Sequence, residues 1–343
     1  MPPAGDVPLA GLTTLRLGGP ARRLLDAHTE AELVEAAATA DLVLAGGSNL
    51  VVADEGVDGT VVRVATRGVE RRRDGDRVLL VAAAGEPWEE LVAGCVADGL
   101  AGVECLAGIP GSTGATPIQN VGAYGQEVAD TIVGVRVLDR ATGEVEDWDA
   151  AACRFAYRSS RLKYQDRWVV LSVTFALREA PVGEPVRYAE LARALGIELG
   201  RAAPLADTRA AVLALRRGKG MVIDPADPDS VSAGSFFTNP ILPVAEWEAV
   251  AARAPEGARP PAWPEPDGRV KTSAAWLIER AGFQRGWGDG RAGISTKHTL
   301  ALVNRGGATT AELLAVARTI AAGVRERFGV ELRPEPVLVG VEW

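Results

Sequence analysis

No part of the chain restricts its own folding more than residues 108–125, Gly-Ile-Pro-Gly-Ser-Thr-Gly-Ala-Thr-Pro-Ile-Gln-Asn-Val-Gly-Ala-Tyr-Gly. Five glycines and two prolines in this run forbid a regular helix and weaken any strand. With no Cβ in the way, the backbone can turn tightly and gather several N–H groups around one ligand. Ser112, Thr113, Thr116, Gln119 and Asn120 stand between the glycines and can add directed hydrogen bonds. Ile109, Ile118 and Val121 are apolar, unlike an ordinary surface loop, and runs this long without regular structure are usually functional or disordered. The run predicts a cradle for a phosphate or a cofactor, with a plain surface loop as the alternative. By itself it does not name the ligand.

The composition narrows the class. A chain of 343 residues suggests on the order of two or three domains. Its 47% hydrophobic and 24% charged content is that of a soluble globular protein. No apolar run approaches the roughly 20 residues of a membrane span. Residues 1–5 lack a basic segment followed by an apolar core, so no secretory signal is expected. Cys95, Cys105 and Cys153 form an odd set without CxxC spacing, which argues against a disulfide scaffold or zinc site and fits a reducing cytoplasm. The net charge is −8 and no Lys/Arg run resembles a nucleic-acid arm. The triplet 71–73, followed by Asp74-Gly75-Asp76, reads as a solvated turn. A phosphate would therefore be held by backbone amides and a few local cations. His28 and His298 are the only histidines, so proton transfer is expected from other side chains. The acidic loop 224–229 lacks the glycine and final glutamate of a calcium loop, and no metal is expected.

Along the chain, residues 13–23 read as strand, glycine turn, strand. Thr29 and Glu32 form a capping box that opens a helix to about residue 40. A buried strand at 41–45 enters Gly46-Gly47-Ser48-Asn49, and an apolar run at 50–53 follows. Strand, glycine turn, strand is not the Rossmann order. The turn offers N–H donors and a hydroxyl suited to a pyrophosphate, and equally reads as a simple hairpin. Further strands are expected at 60–64, 77–83, 131–139, 144–148 and 168–177, the third and fourth joined by a hairpin turn at 140–143. Pro87 opens a helix with Trp88, Leu91, Val92, Cys95 and Val96 on its apolar face. Residues 180–200 are rich in proline and glycine around Tyr188. Helices follow at 207–217 and 272–281, and a strand at 299–303. A second capping box, Thr309 with Glu312, starts the longest helix, to about 328. The chain closes on an apolar strand at 337–341. Gly288–Gly293 formally matches GxGxxG, but no helix follows it, so it reads as a turn.

Four places could carry chemistry. Arg158 lies beside Tyr157 and Ser160, and from the residues alone it reads first as a surface arginine. Ser235, between Gly234 and two phenylalanines, reads equally as a packed turn residue or a site hydroxyl. No GxSxG elbow surrounds it, which disfavours a serine hydrolase. Glu335 stands between two prolines beside an apolar strand. A strand-end surface acid is the default, and a partly buried, paired carboxyl is the alternative. Arg216 and Lys219 flank a helix end, where they suit either the helix C-terminus or a diphosphate.

Taken together, these pieces resemble the UDP-N-acetylenolpyruvoylglucosamine reductases (UDP-N-acetylmuramate dehydrogenases), FAD enzymes of peptidoglycan precursor synthesis. The resemblance spans nearly the whole chain in the family's order: 46–49, 108–125, 157–163, 234–240, 271–282 and 332–340. It implies an α+β protein with a two-lobed FAD-binding unit of the vanillyl-alcohol oxidase type over residues 1–215. The lobes would be about 1–66 and 67–215, with the 334–343 strand returning to the first. Residues 216–333 would form a C-terminal α/β substrate-binding domain. Gly46, Gly47, Ser48, Asn49, Gly111, Ser112, Gly114, Ala115, Gln119 and Gly122 would hold FAD. Arg158, Ser235 and Glu335 match the family's catalytic positions. Tyr124, Tyr188, Arg216, Lys219 and Asn239 match positions that contact substrate in relatives. Tyr188, within 186–191, resembles the mobile tyrosine of one of the family's two subtypes.

The residue types suit that chemistry. NADPH would reduce FAD, and hydride would pass to the terminal carbon of an enolpyruvyl ether. A fixed Arg158 would hold the substrate carboxylate, a protonated Glu335 would donate a hydrogen bond to it, and Ser235 would deliver the proton to the adjacent carbon. Pro336, Thr238 and Leu162 depart from the family's usual residues, which touches affinity rather than the reaction. The resemblance implies a cytoplasmic monomer whose partners are NADPH and the nucleotide sugar, with no nucleic acid or membrane. A flavin oxidoreductase for an alcohol or hydroxy acid, and a nucleotide-sugar binding protein without redox activity, are the alternatives.

Overall fold

Both capping boxes form. Thr29 Oγ1 accepts from Glu32 N at 3.2 Å while Glu32 reaches back to the Thr29 amide, and the helix runs Glu30–Ala37. Thr309 and Glu312 do the same for Thr310–Phe328, which ends on Gly329 in the left-handed conformation. Of the inward face expected from the spacing, Leu313, Ala317, Ile320 and Val324 are fully buried and Val316 is half-buried, while Leu314 joins the buried set. The computed structural model describes residues 7–343, so the expectation about residues 1–5 lies outside the described residues. None of the described helices is long and apolar enough to cross a membrane.

The chain divides into two units. The first contains Pro20–Gly47 and Val57–Val222, the second Pro8–Gly19, Ser48–Gly56 and Ile223–Trp343. In the first, Val57–Val64 lies between Pro20–Ala27 and Leu42–Leu44, parallel to both. An antiparallel sheet follows in the order Val145–Asp149, Ile132–Asp139, Trp168–Glu179, Arg77–Ala83, Val69–Asp74. Its central strand, Trp168–Glu179, also pairs with Leu100–Ala101. Trp88, Leu106, Val137, Val173 and Phe175 sit in the core of this unit.

In the second unit, Ala301–Asn304 lies between Ser232–Ser235 and Ala292–Ile294, antiparallel to both. The long helix packs its apolar face with Leu15, Leu17, Phe236, Phe237, Leu277 and Ile278 into a separate core. Val337–Val339 pairs in parallel with Leu50–Val52.

Three expectations need correction, and one helix was not expected. Residues 46–49 are not a hairpin turn: Leu42–Leu44 pairs with Val57–Val64, while Leu50–Val52 pairs with the C-terminal strand. The strand expected from residue 13 is a turn, closed by Thr13 Oγ1 accepting from Leu17 N at 3.2 Å and donating to Leu17 O at 2.8 Å. Arg71–Arg73 belong to the edge strand Val69–Asp74, paired with Arg77–Ala83, and the solvated turn is confined to residues 75–76. All six residues of the strand are exposed, so no apolar alternation could reveal it. Residues 180–200 contain the short helix Ala189–Leu195, which Tyr188 precedes and Gly196 ends.

Candidate active site

In the first unit the glycine run is pressed against the 46–47 turn. A Cβ on Gly46 would lie 2.6 Å from Gly111 Cα and 3.1 Å from Ser112 N, so two stretches of bare backbone meet there. Gly47 turns with φ +59. The run is anchored along one side by Trp88 N to Gly111 O (3.0 Å), Thr113 N to Glu86 O (2.8 Å) and Gly114 N to Ala84 O (2.8 Å). Ala115 closes the turn Thr113–Ala115, and Gln119 follows it half-buried. Among the described residues, no acceptor takes the amides of Gly111 and Ser112, although Ser112 is buried. Orphaned donors beside this close approach of bare backbone fit the pyrophosphate of a dinucleotide such as FAD.

The 118–122 and 157–163 motifs, far apart in sequence, are stitched together. Ser160 Oγ donates to Ile118 O at 2.6 Å and accepts from Leu162 N at 3.1 Å. Asn120, fully buried, donates to Ala156 O at 3.2 Å and to Glu127 Oε2 at 2.8 Å. Arg158 Nη2 donates to Gly122 O at 2.6 Å, and Lys163 Nζ donates to Arg158 O at 2.8 Å. Arg158 and Asn120 both have positive φ, +50 and +47. Backbone held in so sparsely populated a region is typical of functional sites. The Gly122 carbonyl thereby holds the guanidinium plane.

A second cluster in the same unit joins four predicted substrate residues. The Tyr124 and Tyr188 rings meet edge to face at 5.5 Å, and Lys219 Nζ lies 5.5 Å from the Tyr124 centroid. Lys219 Nζ is paired with Glu190 Oε2 at 2.5 Å. Arg216 Nη2 donates to Met221 O at 2.8 Å, while its buried Nε has no partner. Burial pushes the Tyr124 phenol up, against the pull of Lys219 and Arg216. Burial pushes the Lys219 amine down, but the Glu190 hydrogen bond and Tyr124 outweigh it and the net shift is upward. Burial lowers Arg216 to about 10.

The second unit brings Asn49, Ser235 and Glu335 together. Ser235 ends the strand Ser232–Ser235, opposite Ala301. The next residue, Phe236, accepts from Glu335 N at 2.8 Å through its carbonyl, and Phe237 bridges Pro334. Asn49 O accepts from Val337 N at 2.9 Å, and Asn49 Nδ2 reaches Glu335 O at 3.4 Å. Pro336 is buried beside this ladder, and Thr238 N donates to Arg333 O at 3.2 Å. Ser48 O accepts from Thr14 Oγ1 at 3.4 Å. Asn239 Oδ1 accepts from Ala274 N at 3.0 Å at the start of helix Ala274–Arg280. Leu162, the departure within the first unit, is simply core.

Two contributors escaped the sequence reading. Lys163 supports the Arg158 loop from within the motif, and Glu190 pairs with Lys219 across 29 positions of sequence. The only hint of Glu190 is an acid in the first turn of a short helix.

Comparison with known proteins identifies the family. A model of the FAD-binding domain family matches residues 21–149, the span that carries both halves of the glycine cradle, and the chain is an FAD-dependent oxidoreductase of mixed α+β fold. A model described as the C-terminal domain of UDP-N-acetylenolpyruvoylglucosamine reductase matches residues 225–339. The reductase of Thermobifida fusca (strain YX) is 56% identical over 349 residues, covering 98% of each chain. That of Streptomyces coelicolor is 58% identical over 348 residues, covering 98% of this chain and 90% of that one. The crystal structure of UDP-N-acetylenolpyruvylglucosamine reductase from Thermus caldophilus superimposes with a TM-score of 0.67 at 28% identity, covering 98% of each chain. The chain belongs to the UDP-N-acetylenolpyruvoylglucosamine reductase family.

Proposed function

We propose that the protein catalyses the NADPH-dependent reduction of UDP-N-acetylenolpyruvoylglucosamine to UDP-N-acetylmuramate, a cytoplasmic step of peptidoglycan precursor synthesis. The match to curated reductases over 98% of the chain carries this reading. Gly46, Gly47, Ser48 and Asn49, with Gly111, Ser112, Gly114, Ala115, Gln119 and Gly122, hold the FAD. When bound, FAD supplies the two-electron redox step that delivers hydride to the enolpyruvyl group.

The protein's own residues supply orientation and charge. Arg158, its plane held by the Gly122 carbonyl, binds the substrate carboxylate and spreads the negative charge that develops beside it. A protonated Glu335 donates a hydrogen bond to that carboxylate. Its backbone is held by Phe236 and Asn49, so its reach is set by the same ladder that places Ser235. Ser235 Oγ–H gives its proton to the carbon next to the carboxylate, and solvent restores that proton. A hydroxyl is a weak acid, but a carbanion-like carbon is basic enough to take its proton when positioned. The C=C bond thus gains one hydride and one proton. Tyr124, Arg216, Lys219 and Asn239 bind the nucleotide diphosphate, and Tyr188 covers it, as in the tyrosine-loop subtype.

Separate half-reactions test this. Ser235→Ala is expected to keep flavin reduction by NADPH and to slow flavin reoxidation by the enolpyruvyl sugar by about 100-fold or more, the usual scale of a lost general acid. If both half-reactions run at wild-type rates, Ser235 is not the proton donor. If the yellow wild-type protein is not reoxidised by that substrate, the reductase reading fails.

A further inference from the structure

The ammonium assigned above to the substrate's diphosphate already holds an anion. Lys219 Nζ meets Glu190 Oε2 at 2.5 Å, and the two side chains are only 29% and 36% exposed. We infer that Glu190 is an internal stand-in for one phosphate, a specificity-determining residue that an incoming ligand must displace from Lys219. This rests on reading Lys219 as a diphosphate contact.

Two observations carry the inference. First, the ion pair lies against Tyr124, whose ring Lys219 also faces, so pairing compensates an ammonium that burial would otherwise disfavour. Second, Glu190 and Tyr188 share one turn. Tyr188 is the residue before helix Ala189–Leu195 and Glu190 lies in its first turn. The Tyr188 ring stacks edge-on against Tyr124 while Glu190 takes Lys219, so one segment covers both.

The consequence is selectivity by charge. A ligand with one negative group exchanges like for like at Lys219 and gains little. A diphosphate brings a second negative group to the same cluster, where the buried Arg216 Nε has no protein acceptor. Neutral uridine displaces nothing.

Titration calorimetry with UDP-N-acetylglucosamine tests this without turnover. Glu190→Gln is expected to bind it about fivefold tighter than wild type, the scale of one half-exposed ion pair. Uridine affinity should stay the same, and in turnover the gain should appear as a lower KM for the enolpyruvyl sugar. In a Lys219→Met background, Glu190→Gln should have no effect. Glu190→Asp, which keeps the charge, should restore binding toward wild type. Unchanged or weaker binding by Glu190→Gln overturns the proposal, as does an equal gain in the Lys219→Met background. A wild-type protein that neither binds UDP-N-acetylglucosamine nor turns over the enolpyruvyl sugar overturns the reading of the site, and the role of Glu190 with it.

Discussion

Gly46→Ala puts the cofactor cradle to the test with a single methyl group. The new Cβ would lie 2.6 Å from Gly111 Cα, 2.9 Å from its carbonyl carbon and 3.1 Å from Ser112 N. Carbon atoms in ordinary contact stand about 3.5–4.0 Å apart, so Gly111 must retreat by about 1 Å. All three opposing atoms are backbone, and no rotamer change relieves the clash. Gly46 does not have positive φ, so alanine suits its conformation and the collision is the only perturbation. Retreat of Gly111 pulls on its carbonyl's bond from Trp88 N and on the neighbouring Thr113–Glu86 bond. Overpacking of this kind costs about 1–3 kcal/mol. If apoprotein relaxes by opening the cradle, the cost falls on the bound state, and FAD binds about 5- to 150-fold more weakly. If both states carry the strain, the apoprotein melts several degrees lower instead, roughly 2–4 °C per kcal/mol for a unit of this size. Flavin fluorescence quenching on apoprotein, with a thermal melt alongside, separates the two. A variant with wild-type FAD affinity and wild-type melting temperature refutes the close approach of the two turns.

Two other measurements follow from ionisation. Arg167 donates to Asp139 from Nε at 2.8 Å and from Nη2 at 2.5 Å, and the Ala141 amide adds a third bond at 2.9 Å. The guanidinium holds Asp139 at about 2, below the roughly 3.9 of an unfolded aspartate. A lowered folded value means the stabilisation is complete above about pH 4 and is lost as pH falls toward 2. Asp139→Asn should flatten the fall in urea midpoint between pH 4 and 2, and profiles that stay parallel to wild type would contradict this. Burial pushes the thiols of Cys95 and Cys105 up to about 12 and that of Cys153 to about 11, so thiolate is scarce at pH 8. Native protein should leave a disulfide reagent such as DTNB unreacted, and denatured protein should titrate all three cysteines. Rapid colour from the native protein would count against the packing around them.

Local rules were legible where the responsible residues are neighbours. Thr29 with Glu32 and Thr309 with Glu312 announce their helices because a capping box needs only four consecutive positions. The hairpin at 140–143 is equally local: Gly143 N returns to Asp139 O at 2.7 Å. The edge strand Val69–Asp74 was not legible, because exposed charges on both faces leave no period to read. The short helix after Tyr188 was masked by the prolines and glycines around it.

The candidate site divides the same way. Composition alone marked 108–125 as a run that must avoid regular structure, since glycine lacks the Cβ and proline lacks the amide that helix and strand rely on. That much, and the residue types of a reductase family, stood in the sequence. The partners of the run did not. Backbone contact between Gly46 and Gly111, the Gly122 carbonyl that fixes Arg158, and the Phe236 carbonyl that binds Glu335 are long-range pairings. So is the Glu190 carboxylate on Lys219. Each depends on two segments arriving at one place with a few tenths of an ångström to spare. Only the packed chain decides that, because a hydrogen bond or a steric contact is a property of distance, and distance between remote residues is set by the fold.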